Sequence, residues 1–161
     1  MKWQTMFHYH QWATQKLLDH VGSQGEAIYH REAKNSFPTI SKTFSHILSV
    51  DYLWFKRLQG IEKPEWKEFH VSTVALTKQA FSDLHQEMDV FLSSLSEEDW
   101  KATINFTNIK GDPFSNIRED MFFTFVNHSS YHRGQVTSFL RQFGLSGIPI
   151  DFIYFAKETQ S

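Results

Sequence analysis

His128 and His132 lie four residues apart in the stretch NHSSYHRGQV, residues 127–136. On an α-helix that spacing sends both imidazoles off one face, about one turn apart. Two neutral imidazoles so placed suit a divalent cation, because one ion satisfies a ring nitrogen of each. The surrounding stripe reads Ile117, Met121, Phe125, Val136, Phe139 and Phe143, so both histidines stand where an amphipathic helix places apolar side chains. Burying them without partners costs free energy. The H-x-x-x-H spacing also presents the two histidine ligands of zinc proteases, although here no Glu follows the first His. It is equally met by two core histidines that each bond a neighbouring helix or a water.

Among the other histidines, His46 is the best-placed third ligand, mid-helix beside Phe44, Ile47 and Leu48. A lone His on an apolar helix also serves as a hydrogen-bonded core residue. His20 falls at a helix end and His30 and His70 in connectors, while His85 borders Gln86 and Glu87; His8 and His10, two apart, face different sides of a helix, and all of these read as peripheral. Gln135, three after His132, reaches the same end of the face and is a candidate to hold a water or substrate at an ion. Arg133 is turned about 100° from His132 and suits an ion pair with an acid such as Asp51 on a neighbouring helix. For Asp51 the alternatives are an exposed salt bridge or a hydrogen bond that orients a ligand imidazole, and Gly134 would let a helix approach closely.

Four long segments with helical periodicity must position these residues. The first spans about 3–21, ending near Gly22, and a connector with a possible short helical turn covers 25–37. Pro38 suits the first turn of the second, which stops at Gly60; Ser72 is the N-cap predicted for the third, over 73–95. SEEDW is a one-turn capping-box candidate, and residues 102–116 read as a small solvent-facing hairpin around Lys110-Gly111-Asp112. Asn116, with Glu119 three later, starts the fourth helix, which runs to Phe143 and meets Gly144; Asp151 caps a short last helix. The sum is an all-α antiparallel four-helix bundle in a single domain over 1–161, with the hairpin inserted before the fourth helix.

Composition narrows the function. A net charge of −2 with a pI near 6.5 lacks the basic footprint that phosphate neutralisation requires, which argues against nucleic acid as a partner. No apolar run approaches the roughly 20 residues that span a bilayer, and nothing at the start reads as a signal peptide, so a soluble cytoplasmic protein is expected. There is no Cys, so any thiol nucleophile has to come from outside the chain. Trp12, Trp54, Phe55 and Phe125 read as core.

SFPTISKTFSHILSVDYLWFKRLQG and NHSSYHRGQVTSFLRQFG resemble the second and fourth helices of the DinB-like family, which belongs with the bacillithiol and mycothiol S-transferases. HQWATQKLL is similar to its first helix and IDFIYFAKE to its tail. The resemblance implies a zinc or nickel site made by His46, His128 and His132, open to a low-molecular-weight thiol or a water, on a small-molecule enzyme that forms a homodimer. The alternative is a non-enzymatic, metal-stabilised dimeric bundle acting in binding or the stress response.

Overall fold

The computed structural model describes residues 2–159. Its four long helices are α1 (Lys2–Ser23), α3 (Ile40–Leu58), α4 (Val74–Ser94) and α6 (Arg118–Gln142). Shorter helices are α2 (Glu26–His30), α5 (Glu97–Lys101) and α7 (Phe152–Thr159), and strands β1 (Thr103–Thr107) and β2 (Pro113–Ile117) form an antiparallel hairpin. α3 packs against α4 and α6, and α1 packs against the same two, so the long helices close a four-membered ring around one apolar core. This is the four-helix bundle that the periodicities predict.

Local chemistry sets most boundaries. α3 begins after Thr39, whose side chain accepts from the Lys42 N–H, so Pro38 lies before the helix and not in its first turn. Thr73 plays the same part for α4 toward the Leu76 N–H, displacing Ser72 from that role. Ser96 and Asp99 form the reciprocal capping box of α5. Where α3 and α6 end, Gly60 (φ 87°) and Gly144 (φ 79°) turn left-handed. The following N–H groups of Ile61 and Leu145 reach back to the carbonyls of Lys56 and Leu140 at 3.1 and 2.8 Å, closing Schellman motifs.

The start of α6 departs from expectation. Asn116 pairs with Ile104 across the hairpin and stays extended, and the Arg118 N–H bonds the Ala102 carbonyl at 3.0 Å. The helix therefore begins only at Arg118, with no side-chain cap and with Ile117 exposed. β2 is exposed along its whole length, whereas β1 alternates: Thr103 and Asn105 face solvent and Ile104 and Phe106 are buried, with Phe106 edge-on to Trp54 at 5.7 Å. Of the aromatics expected in the core, Phe55 and Phe125 are buried while Trp12 and Trp54 are half-exposed. α7 docks on α1 through Glu158, which accepts from Trp12 Nε1 at 2.8 Å and pairs with Lys16, while Tyr9 meets Phe152 and Phe155.

A side chain at the left-handed Gly144 position would strain the α6 terminus, so Gly144→Ala is expected to lower stability by about 1 kcal/mol. Chemical denaturation measures it.

Candidate metal centre

His46 projects from the middle of α3, and His128 and His132 project from consecutive turns of α6, the helix against which α3 packs. Their ligand nitrogens all lie within 4.8 Å of one another. Ring centroids are 4.6 Å apart for His46 and His132, 5.3 Å for His46 and His128, and 4.5 Å within the α6 pair. His132 is buried, and the other two rings are half-buried, which leaves one side of the cluster accessible. Phe37 covers His46 at 4.6 Å, and the largely exposed Tyr131 stands edge-on to His132 at 5.0 Å.

The Nε2 atoms of His128 and His132 are 3.1 Å apart. Nitrogens bound at about 2.0–2.1 Å to one ion sit roughly 3–3.5 Å from each other, so this separation fits a shared cation. His132 Nδ1 donates to Gln135 Oε1 at 2.8 Å, which leaves the Nε2 lone pair free. The other end of that amide donates to Ser36 Oγ at 2.7 Å, and the Gln135 backbone carbonyl accepts from Asn35 Nδ2 at 3.2 Å. With both ends of its side-chain amide bonded to protein, Gln135 orients the His132 ring. Burial first, and then the neighbouring His132 ring, push His46 and His128 down to about 4, so both are neutral near pH 7 and able to coordinate. Among the described residues no carboxylate lies within 4.0 Å of any of the three imidazoles.

A second cluster lies in the core. His10 of α1, Asp51 of α3 and His85 of α4 are all buried, contrary to the expectation that both histidines are peripheral, and burial removes the exposed salt bridge from the alternatives for Asp51. His10 Nε2 is 3.0 Å from His85 Nε2 and 3.2 Å from Asp51 Oδ2, and Ser129 Oγ donates to Asp51 Oδ1 at 2.7 Å. Arg133, also buried, bonds His10 Nδ1 and Thr14 Oγ1, each at 3.2 Å, and Ser130 Oγ at 2.8 Å. It makes no ion pair with Asp51, because the His10 ring stands between them. Nothing lies within 4 Å of a Cβ built on Gly134, so no helix approaches closely there. The signal for the second cluster was present in the sequence: His10 shares a helical stripe with Phe7, Thr14 and Leu17, and His85 with Phe81, Met88 and Leu92. A cleft of about 520 Å³ between α6 and residues 147–151 is bordered by Arg133 but by none of the three clustered imidazoles of the α3–α6 face.

The bundle brings three histidines together in a group that could hold a metal ion. Comparison with known proteins places it further. The model of the DinB family matches residues 1–161, and the chain belongs to that family. Protein DinB of Bacillus subtilis strain 168 is 24% identical over 155 residues, covering 91% of this chain and 89% of that one. A DinB-like protein from Bacillus cereus ATCC 10987 shares the fold with a TM-score of 0.72 at 20% identity, over 91% of this chain and 95% of the other. YfiT from Bacillus subtilis, described as a probable metal-dependent hydrolase with an unusual four-helix bundle topology, aligns with a TM-score of 0.66 at 14% identity over 89% of each chain.

Removing the acceptor that orients His132, as in Gln135→Leu, is expected to weaken metal binding by about 10- to 100-fold, measured by chelator competition. Acid should destabilise the fold. Burial lowers His10 and His85, the latter to about 3, and His46 and His128 to about 4, so below pH 6.5 the unfolded chain binds protons that the folded chain refuses. Asp51, raised by burial to about 6, acts oppositely between 3.8 and 6, but it is one carboxyl against four imidazoles. The melting temperature should therefore fall from pH 6.5 toward 4, with a shallower slope in His85→Gln.

Proposed function

We propose that His46, His128 and His132 hold a divalent ion, zinc or nickel, and that the chain uses it to activate a low-molecular-weight thiol as an S-transferase, or a water as a hydrolase. The observation that supports this most is the convergence of three imidazoles, one of them fixed by Gln135 with its Nε2 lone pair aimed at its neighbour. A divalent ion held by three neutral imidazoles keeps its double charge and acidifies a thiol or water placed beside it.

The residues around the cluster favour thiol transfer. With no carboxylate within 4.0 Å of the imidazoles among the described residues, no side chain is placed to take a proton from water as general base. A thiol that arrives already acidified has less need of one. The chain has no Cys of its own, so the nucleophile is a small molecule. The half-open side beside Phe37 and Tyr131 gives an apolar substrate body aromatic surface to rest on. The description of YfiT as a probable hydrolase favours the water reading instead.

A second reading is a metal-tied dimeric bundle that binds a partner without turnover. It draws on the exposed Phe152, Ile153 and Tyr154 of α7, which a second copy would cover. No helix among the described residues is long and apolar enough to cross a membrane, and a cytoplasmic small-molecule enzyme is the setting we propose.

Untagged protein is expected to carry about one zinc or nickel per chain, lost when all three histidines are replaced by Ala. An empty wild type that takes up no added metal would sink the proposal. His132→Ala should abolish thiol conjugation to monochlorobimane if the centre is catalytic. A large fall in melting temperature on chelation, with no turnover in the wild type, supports the second reading.

A further inference from the structure

The inner cluster of His10, Asp51 and His85 has the composition of a metal site, yet its proton arrangement is that of a hydrogen-bonded lock. A guanidinium has only N–H donors, so the bond from Arg133 Nη1 requires His10 Nδ1 to be an acceptor. The one proton of the neutral ring is then on Nε2, which occupies the lone pair that an ion would need. That proton meets His85 Nε2 at 3.0 Å in hydrogen-bonding geometry, whereas Asp51 Oδ2, 3.2 Å from the same nitrogen, is left without a hydrogen-bond partner, so the His85 ring carries its own proton on Nδ1. Coordination here would demand an imidazolate beside a buried cation. By contrast, His132 donates from Nδ1 and keeps Nε2 free. The same side chain is thus set in opposite tautomers by an Arg donor in one place and a Gln acceptor in the other.

The lock joins all four long helices: His10 and Thr14 of α1, Asp51 of α3, His85 of α4, and Ser129 and Arg133 of α6. Ser129 and Arg133 directly follow the two α6 ligands and repeat their four-residue spacing, about 100° round the helix. Every degree that α6 turns about its axis swings the ligand row with the anchor row. Buried hydrogen bonds to Asp51 and His10 oppose such turning, because breaking them leaves charged or polar groups unpaired in a dry interior.

We infer that the Ser129–Asp51 and Arg133–His10 contacts are a positioning device that sets the rotation of α6, and so aims His128 and His132, and that the inner cluster holds no metal. The positioning half rests on the proposed metal function; the tautomer half does not. Nitrogen–proton correlation spectra of the chelator-stripped full chain should show the Nε2–H tautomer for His10 and Nδ1–H for His85, whereas Nδ1–H on His10 overturns the lock. Zinc titration of the His46, His128 and His132 triple Ala variant should show no bound ion. An ion kept there, and lost on adding His10→Ala, places metal in the core and overturns it too.

For positioning, Ser129→Ala is compared with Leu92→Ala in α4 as a control for general loss of packing. In the metal-free protein, the ring resonances of His128 and His132 are expected to shift in Ser129→Ala and not in the control. Cobalt affinity by chelator competition should fall about tenfold only in Ser129→Ala. Equal behaviour of the two variants overturns the positioning role, and Thr14→Val enters the same assays if Ser129→Ala does not fold. A wild type that binds no cobalt yet shows the expected tautomers and ring shifts removes the metal function and leaves the lock standing.

Discussion

Two imidazole nitrogens 3.1 Å apart, both on one helix, are the constraint around which this bundle is built. At that distance a neutral His128 can donate from Nε2 to the free lone pair of His132, and a cation bound there would take the place of that one proton, so the arrangement depends on the protein holding both rings in register. It does so from several directions. Gln135 fixes one ring from the side, and Phe37 packs over His46 on the facing helix. The hairpin decides where α6 can begin, and a Schellman turn decides where it ends.

The long helices were legible because the 3.6-residue stripe dominates their sequences, and α3 and α4 miss the predicted starts by no more than two residues. For α3 the cap is Thr39, one residue after the Pro38 expected in the first turn, and for α4 the choice lay between two neighbouring hydroxyl residues. Adjacent Ser and Thr residues have similar capping chemistry, and only backbone geometry chooses Thr73 over Ser72. α6 was harder, since Asn116 has an N-cap signature locally but is held extended by its cross-strand partner Ile104. Strand pairing is a tertiary fact that a local pattern does not contain.

His128 and His132 could be read because they break an apolar stripe and share a four-residue spacing, whereas His46, alone on α3, was marked by its place among apolar residues and by the family resemblance. The inner ones could not be read by the same rule, although His10, Asp51 and His85 also lie on buried stripes. A polar residue alone on a stripe looks like the stripe's edge until its partners on other helices are known. Arg133 makes the point in reverse: its charge suits an ion pair with an acid such as Asp51, while the fold buries it and gives it neutral acceptors. The two clusters then differ less in residue type than in which ring nitrogen is protonated, and a nearby guanidinium or amide decides that.

The docking of α7 on α1 through Glu158, Trp12 and Lys16 bears on the order of assembly. Of the long helices that pack on α1, only α4 lies in the first two-thirds of the sequence, whereas α6 and α7, which also pack on it, follow much later in chain order. His46 likewise emerges long before His128. The three imidazoles therefore converge only once α6 has packed on α3.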